Sequence, residues 1–176
     1  MHDIPDIIKN EAEIALSYYP KFKDLEIRFI FKENIKKSTM QAQPSWRTFL
    51  PWVRTRSYVI LISETFKISG DVFKTVDVPK DVMIGWIGHE LGHVMDYENR
   101  SRRNLVGFGF MYLFSSTYIQ GAERAADTYA VRQGMRDYIM TTKRFILDHA
   151  SISPEYKARI KRLYLSPEDI MQIVEE

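Results

Sequence analysis

The chain has no cysteine. That excludes disulfides and thiolate metal sites, so any zinc must be held by imidazole and carboxylate. Net charge is also scarce: 25 Lys and Arg against 23 Asp and Glu leave a formal +2. This is too little to argue for nucleic acid, and no recognition motif is present. Long apolar runs are missing as well. The most hydrophobic stretch, 105–119, holds 15 residues, short of the roughly 20 that span a bilayer. The N-terminal Met1-His2-Asp3-Ile4-Pro5-Asp6 is acidic and lacks the apolar segment of a signal peptide. A cytoplasmic location is therefore expected. There are no internal repeats and no low-complexity segments. The remainder, 176 residues at 45% hydrophobic and 27% charged, predicts one globular domain over 1–176.

Histidine is rare too, with 4 in the chain, yet His89 and His93 stand four apart in Gly88-His89-Glu90-Leu91-Gly92-His93. On a helix, i and i+4 share a face, so both imidazoles can reach one metal ion with Glu90 beside it. This is the HExxH signature of zincins. The flanking residues predict the required helix. Asp77 or the residue after it can cap, Pro79 suits the first helical position, and Asp81 complements the N-terminal dipole. Val82, Met83, Trp86, Ile87, Leu91, Val94 and Met95 then recur at spacings of three and four as far as Asn99. Gly85, Gly88 and Gly92 each cost such a helix about 1 kcal/mol against alanine. Close approach of a second backbone would explain them.

Elsewhere the patterning predicts a helix over about 6–19, ended by Pro20, and a strand in Leu25-Glu26-Ile27-Arg28-Phe29-Ile30-Phe31. Residues 33–55 read as a long loop or broken hairpin. Tyr58-Val59-Ile60-Leu61-Ile62 is the strongest strand. The 105–119 run reads as a buried helix or turn, or as a shallow membrane contact beside Arg100, Arg102 and Arg103. Helices are expected over about 120–132, with Gly134 as C-cap, and over 135–149. Two short ones should open at Ser153-Pro154-Glu155 and Ser166-Pro167-Glu168-Asp169. The expected class is thus α+β: a small mixed sheet in the N-terminal half packed on the metal helix, followed by a mostly helical C-terminal half.

Catalytic zinc needs three protein ligands. Glu123, in Ala122-Glu123-Arg124-Ala125-Ala126-Asp127-Thr128-Tyr129-Ala130, is the best third candidate. Asp127 shares its helical face at i+4, and the alanines make that helix thin enough to lie against another. Glu123 could bind the ion while Asp127 accepts the N–H of a ligating imidazole.

His89-Glu90-Leu91-Gly92-His93 followed thirty residues later by Glu123-x-x-x-Asp127-x-x-Ala130 resembles the gluzincin metallopeptidases of the HtpX-like and CAAX-prenyl-protease type. The short soluble minigluzincins are the similar branch, since the membrane-bound members carry transmembrane helices where this chain has only 105–119. The resemblance spans about 55–165. It implies a zincin-like fold, Zn2+ on His89, His93 and Glu123, Glu90 as catalytic base, and peptide or protein substrates pairing with the strand at 58–62. The family's His-Pro pair before an Arg-Ile-x-x-Leu sequence is matched here by Ser153-Pro154 before Arg159-Ile160-Lys161-Arg162-Leu163, with His149 four residues upstream of the serine. His149 is therefore taken as the second catalytic residue; Tyr129, Tyr118 and Arg159 are the other candidates for the oxyanion donor. The expected activity is zinc-dependent endopeptidase. The rival reading is a latent or non-catalytic metal-stabilised binding protein, with possible peripheral membrane contact through 105–119.

Overall fold

Ser57–Ser63 forms β3, and its β-branched and aromatic residues are buried along nearly the whole strand. A strand buried on both faces belongs in the middle of a sheet, and the computed structural model puts it there. The structure describes residues 2–33, 35, 38–68, 71–148, 158 and 161–175. β1 (Glu26–Lys32) runs parallel to β3 on one side and β2 (Met40–Pro44) antiparallel on the other, giving the order β1-β3-β2. Asp3 adds a bridge to the outer side of β1 through Asp3 N to Ile27 O and Phe29 N to Asp3 O. β2 is thus the remaining edge. This corrects one expectation: residues 58–62 cannot pair with an extended substrate, because both sides of β3 are already hydrogen-bonded. The 33–55 region supplies β2 and a 3-10 turn at Trp46–Phe49. β4 (Thr65–Ile68) and β5 (Asp71–Lys74) form a separate hairpin whose Phe66 ring meets Trp86 edge-on; the sequence patterning assigns no element to this stretch.

From residue 80 onward every described regular element is helical: α2 (Lys80–Glu98), α3 (Arg102–Phe114), α4 (Ser116–Ala130), α5 (Arg136–Asp148) and α6 (Pro167–Glu175). With α1 (Lys9–Ser17) in front, the class is α+β, as the strand-then-helix order implies. Pro79 is the N-cap of α2 rather than its first residue, and Asp77 sits in a 3-10 turn without capping. Instead the Pro79 carbonyl accepts from Val82 and Met83 N–H. Ser166 does cap α6: its Oγ accepts from Asp169 N at 3.1 Å while Asp169 Oδ2 accepts from Ser166 N at 3.0 Å, a reciprocal capping box. The companion expectation at Ser153 lies outside the described residues.

α2 is the central helix of the molecule. Tyr19, which follows α1, donates to the Gly88 carbonyl at 2.6 Å. On another face α2 meets α4 and α5, and here its glycines find their reason. A Cβ on Gly85 would strike the Tyr138 carbonyl, one on Gly88 the Met135 side chain, and one on Gly92 the Ala126 carbonyl. Helix backbones can approach this closely only where no side chain intervenes. A five-residue π turn, Val131–Met135, joins α4 to α5, with Gly134 at φ 94° as the left-handed residue. The turn lets both helices lie on α2.

The 105–119 stretch is divided rather than buried throughout. Ser115 breaks it, ending α3 and capping α4 through Tyr118 N to Ser115 Oγ. α3 buries Leu105 and Phe108 but exposes Val106, Phe110 and Phe114. Among the described residues no helix is long and apolar enough to cross a membrane.

Candidate metal centre

His89 and His93 leave α2 one turn apart, their rings edge to face with centroids 4.8 Å apart. Because Gly92 admits the α4 backbone, Glu123 reaches between them. Glu123 Oε2 lies 3.0 Å from His89 Nε2 and 3.5 Å from His93 Nε2, and one ligand atom from each of the three residues falls within 4.8 Å of the others. Ligands at the ordinary 2.0–2.1 Å of a tetrahedral zinc ion stand about 3.3 Å from one another, so the two contacts to Glu123 bracket the separation that such an ion requires. These three residues could hold a metal ion.

Asp127, one turn after Glu123, meets the other side of the first histidine. Its Oδ1 is 2.9 Å from His89 Nδ1, which orients the ring with Nε2 towards the cluster, the arrangement usual for a ligating histidine. Its Oδ2 accepts from Lys143 Nζ at 2.6 Å and from Leu165 N at 3.1 Å. Asp127 is 1% exposed and Lys143 6%. His93 lacks such support: its Nδ1 is buried with no hydrogen-bond partner among the described residues, and its ring stacks on Tyr97.

The titration of these groups follows from their neighbours. Burial opposes charge on His89, but hydrogen bonds to Asp127 and Glu123, together with their charges, outweigh it and raise its pKa from 6.5 to about 10 in the metal-free protein. Burial likewise opposes ionisation of Glu123 and Asp127, yet both stay below the ordinary carboxylate range. His93 and His89 hold Glu123 down, and Lys143 and His89 hold Asp127 down. Glu90 moves the other way, because burial outweighs the histidines and the Ala42 amide.

Glu90 points towards the sheet edge. Thr39 O accepts from Ser63 N and Ser57 O accepts from Ser45 N, so the odd-numbered residues of β2 bond to β3 and Ala42 turns its own N–H and C=O outward. The Ala42 N–H donates to Glu90 Oε2 at 2.6 Å and its carbonyl accepts from Tyr97 OH at 3.3 Å. Edge strand, carboxylate and imidazole pair therefore form one contiguous site.

Among the remaining candidates, His149 and Arg159 lie outside the described residues. Tyr129 accepts from Asn99 Nδ2 at an exposed position and Tyr118 packs on Phe108; neither has a described contact with the ligand cluster. Tyr112 does: its hydroxyl donates to Glu123 Oε1 at 2.8 Å, and burial with the Glu123 charge raises its pKa. Tyr164 stands beside the centre too, its ring centroid 5.5 Å from that of His89. Sequence reasoning missed Tyr112, Lys143 and Ala42. Only Lys143 left a signal, as a lysine sharing a helical stripe with Ile139 and Thr142, both buried.

No family model, curated protein or solved structure matches the chain. Its functional reading rests on the geometry above.

Proposed function

We propose that the protein is a zinc-dependent endopeptidase of zincin-like fold, with His89, His93 and Glu123 as ligands and Glu90 as general base. One observation carries the reading: Nε2 of each histidine stands at a zinc-like separation from a carboxylate oxygen on a separate helix, with Glu90 beside them and bonded to the β2 edge. Two imidazoles and one carboxylate suit zinc better than magnesium or calcium, which favour all-oxygen surroundings. When bound, the ion supplies Lewis acidity that polarises a carbonyl and lowers the pKa of water to about 7.

The chain's own groups do the rest. Glu90, raised above the usual carboxylate range by burial, is poised to take a proton at Oε1 and return it to a leaving amine, Oε2 being engaged by Ala42. β2, rather than β3, is the strand that faces the site, and because the outward N–H and C=O of Ala42 are held by Glu90 and Tyr97, an extended peptide would have to displace those two contacts to pair with it. The Tyr112 hydroxyl donates its one proton to Glu123 Oε1, so it holds the ligand carboxylate in place and would serve as an oxyanion donor only after leaving it. Asp127 and Lys143 orient His89.

One feature favours the latent alternative. Tyr164 lies against His89, the Leu165 amide bonds Asp127, and the side chains of the three ligands are only 7–12% exposed, so the segment ahead of α6 lies against the centre.

The deciding experiment measures zinc content and peptide hydrolysis together. Wild type should carry one zinc and cleave peptides. Glu90→Gln should keep the metal and lose turnover, and Glu123→Ala should lose the metal after dialysis. Retained turnover in Glu90→Gln refutes the base assignment, and full zinc in Glu123→Ala refutes the ligand assignment. A fully loaded wild type that cleaves nothing, but gains activity in Tyr164→Ala, supports latency.

A further inference from the structure

Of the ten large hydrophobic side chains that are exposed among the described residues, seven fall in two segments, the β2–β3 connection and α3. Trp46 is 69% exposed and Trp52 76%; on α3, Phe110 is 64% and Phe114 73% exposed. A solvated loop and a surface helix ordinarily present polar side chains. α3 does not, because Leu105 and Phe108 face the core while Val106, Phe110 and Phe114 form a second apolar stripe at i, i+4 and i+8. The two segments meet where Arg102 Nη2 donates to the carbonyls of Val53 and Arg54, next to Trp52.

The charge of these segments is as uneven as their polarity. None of the 23 acidic residues lies between positions 34 and 63 or between 99 and 122, whereas six arginines do. Arg47, Arg54 and Arg103 are exposed, and no acidic side chain among the described residues pairs with them. The +2 of the whole chain conceals an apolar face whose own segments carry no acid: Arg56 and Arg100 pair with Glu98 and Asp96 of α2, which leaves Arg47, Arg54 and Arg103 at its rim. A second copy would bring the same arginines against themselves, and the face offers no carboxylate to pair with them. What complements aromatic side chains and unpaired arginines together is an apolar layer under a negatively charged surface. Tryptophan and arginine are the residues suited to that boundary.

We infer that this face, built from residues 46–54 and the outer side of α3, docks the protein on an anionic lipid surface, α3 lying in the plane of the headgroups rather than crossing them. The inference does not depend on the metal centre. It does place a membrane close to it, since α3 also carries Tyr112 against Glu123.

Co-sedimentation with vesicles of phosphatidylcholine, with and without phosphatidylglycerol, tests it on the full chain. Wild type should bind the phosphatidylglycerol vesicles, more weakly as salt is raised, and bind phosphatidylcholine poorly. Replacing Arg47, Arg54 and Arg103 by glutamine should lower partitioning by about a hundredfold. Trp46→Ser, Trp52→Ser, Phe110→Ser and Phe114→Ser together should lower it by at least about tenfold. All seven side chains are exposed, so both variants should fold, with melting temperatures near wild type as the check. If a variant melts early, the blue shift of tryptophan emission on vesicles, lost in Trp46→Phe/Trp52→Phe, supplies the same reading. Glu123→Ala should bind vesicles as wild type does, which separates this proposal from the metal reading. No binding to phosphatidylglycerol vesicles overturns it, as does binding that survives both variants. A concentration-dependent dimer lost in the serine variant, without vesicle binding, would assign the face to a second copy; capture by acidic polypeptides in preference to vesicles would assign it to a protein.

Discussion

Replacing Asp127 by asparagine separates two functions of one buried carboxylate. The side chain keeps its shape but loses its charge, and its partners are all donors: His89 Nδ1 at 2.9 Å on one oxygen, Lys143 Nζ at 2.6 Å and Leu165 N at 3.1 Å on the other. A carboxamide must turn its NH2 towards one of these sets, so one side of the network meets donor against donor. Lys143, 6% exposed, is left as a buried cation without its counter-charge, which costs about 3–5 kcal/mol. Loss of the carboxylate behind His89 should weaken zinc binding by about 10–100-fold, or about 1.4–2.7 kcal/mol. Lys143→Met distinguishes the two effects. In the double variant Asp127→Asn/Lys143→Met the buried cation is gone, so stability should recover by about 2 kcal/mol or more over Asp127→Asn. Zinc affinity should stay as low as in the single variant. Urea unfolding of the EDTA-treated proteins reads the first quantity, and competition with a fluorescent chelator reads the second. Asp127→Asn with wild-type zinc affinity, or a double variant no more stable than Asp127→Asn, would refute the account of Asp127 as a group serving both neighbours.

Two more outcomes are expected. His89 has its pKa raised from 6.5 to about 10 in the metal-free protein. Its protonated form therefore contributes full stability below pH 6.5, and that contribution is lost as pH rises towards 10. Urea midpoints of EDTA-treated protein should fall across this window, while zinc titrated in weak buffer near pH 8 should release at least about one proton, the one displaced from His89; flat midpoints would contradict the paired state of His89. Gly92→Ala should destabilise by about 1–3 kcal/mol despite the better helix former, and should weaken zinc binding, because α4 must withdraw from α2. Gly107→Ala, with open space around its Cα, should instead stabilise by up to about 1 kcal/mol. Thermal melts of the two variants give the comparison.

Local chemistry made much of this protein legible in advance. The spacing of His89, Glu90 and His93, the i, i+4 pair of Glu123 and Asp127, the strand at β3 and the Ser166 cap are all properties of short stretches, where helix and strand periods alone decide which side chains share a face. The glycines of α2 posed a question that the residues themselves stated, since a helix accepts that cost only where another backbone comes close. Tertiary structure decided the rest. Whether β3 has a free edge depends on β1 and β2, strands that the chain brings to either side of it; β2 lay within residues whose prolines and scattered aromatics carry no period. Tyr112, Lys143 and Ala42 come to the site from α3, α5 and β2. Such convergence is a matter of packing angles between elements, which no single-element pattern encodes. The half-exposed α3 has the same cause. Its sequence is apolar on both faces, and only the position of the core determines which face remains in water.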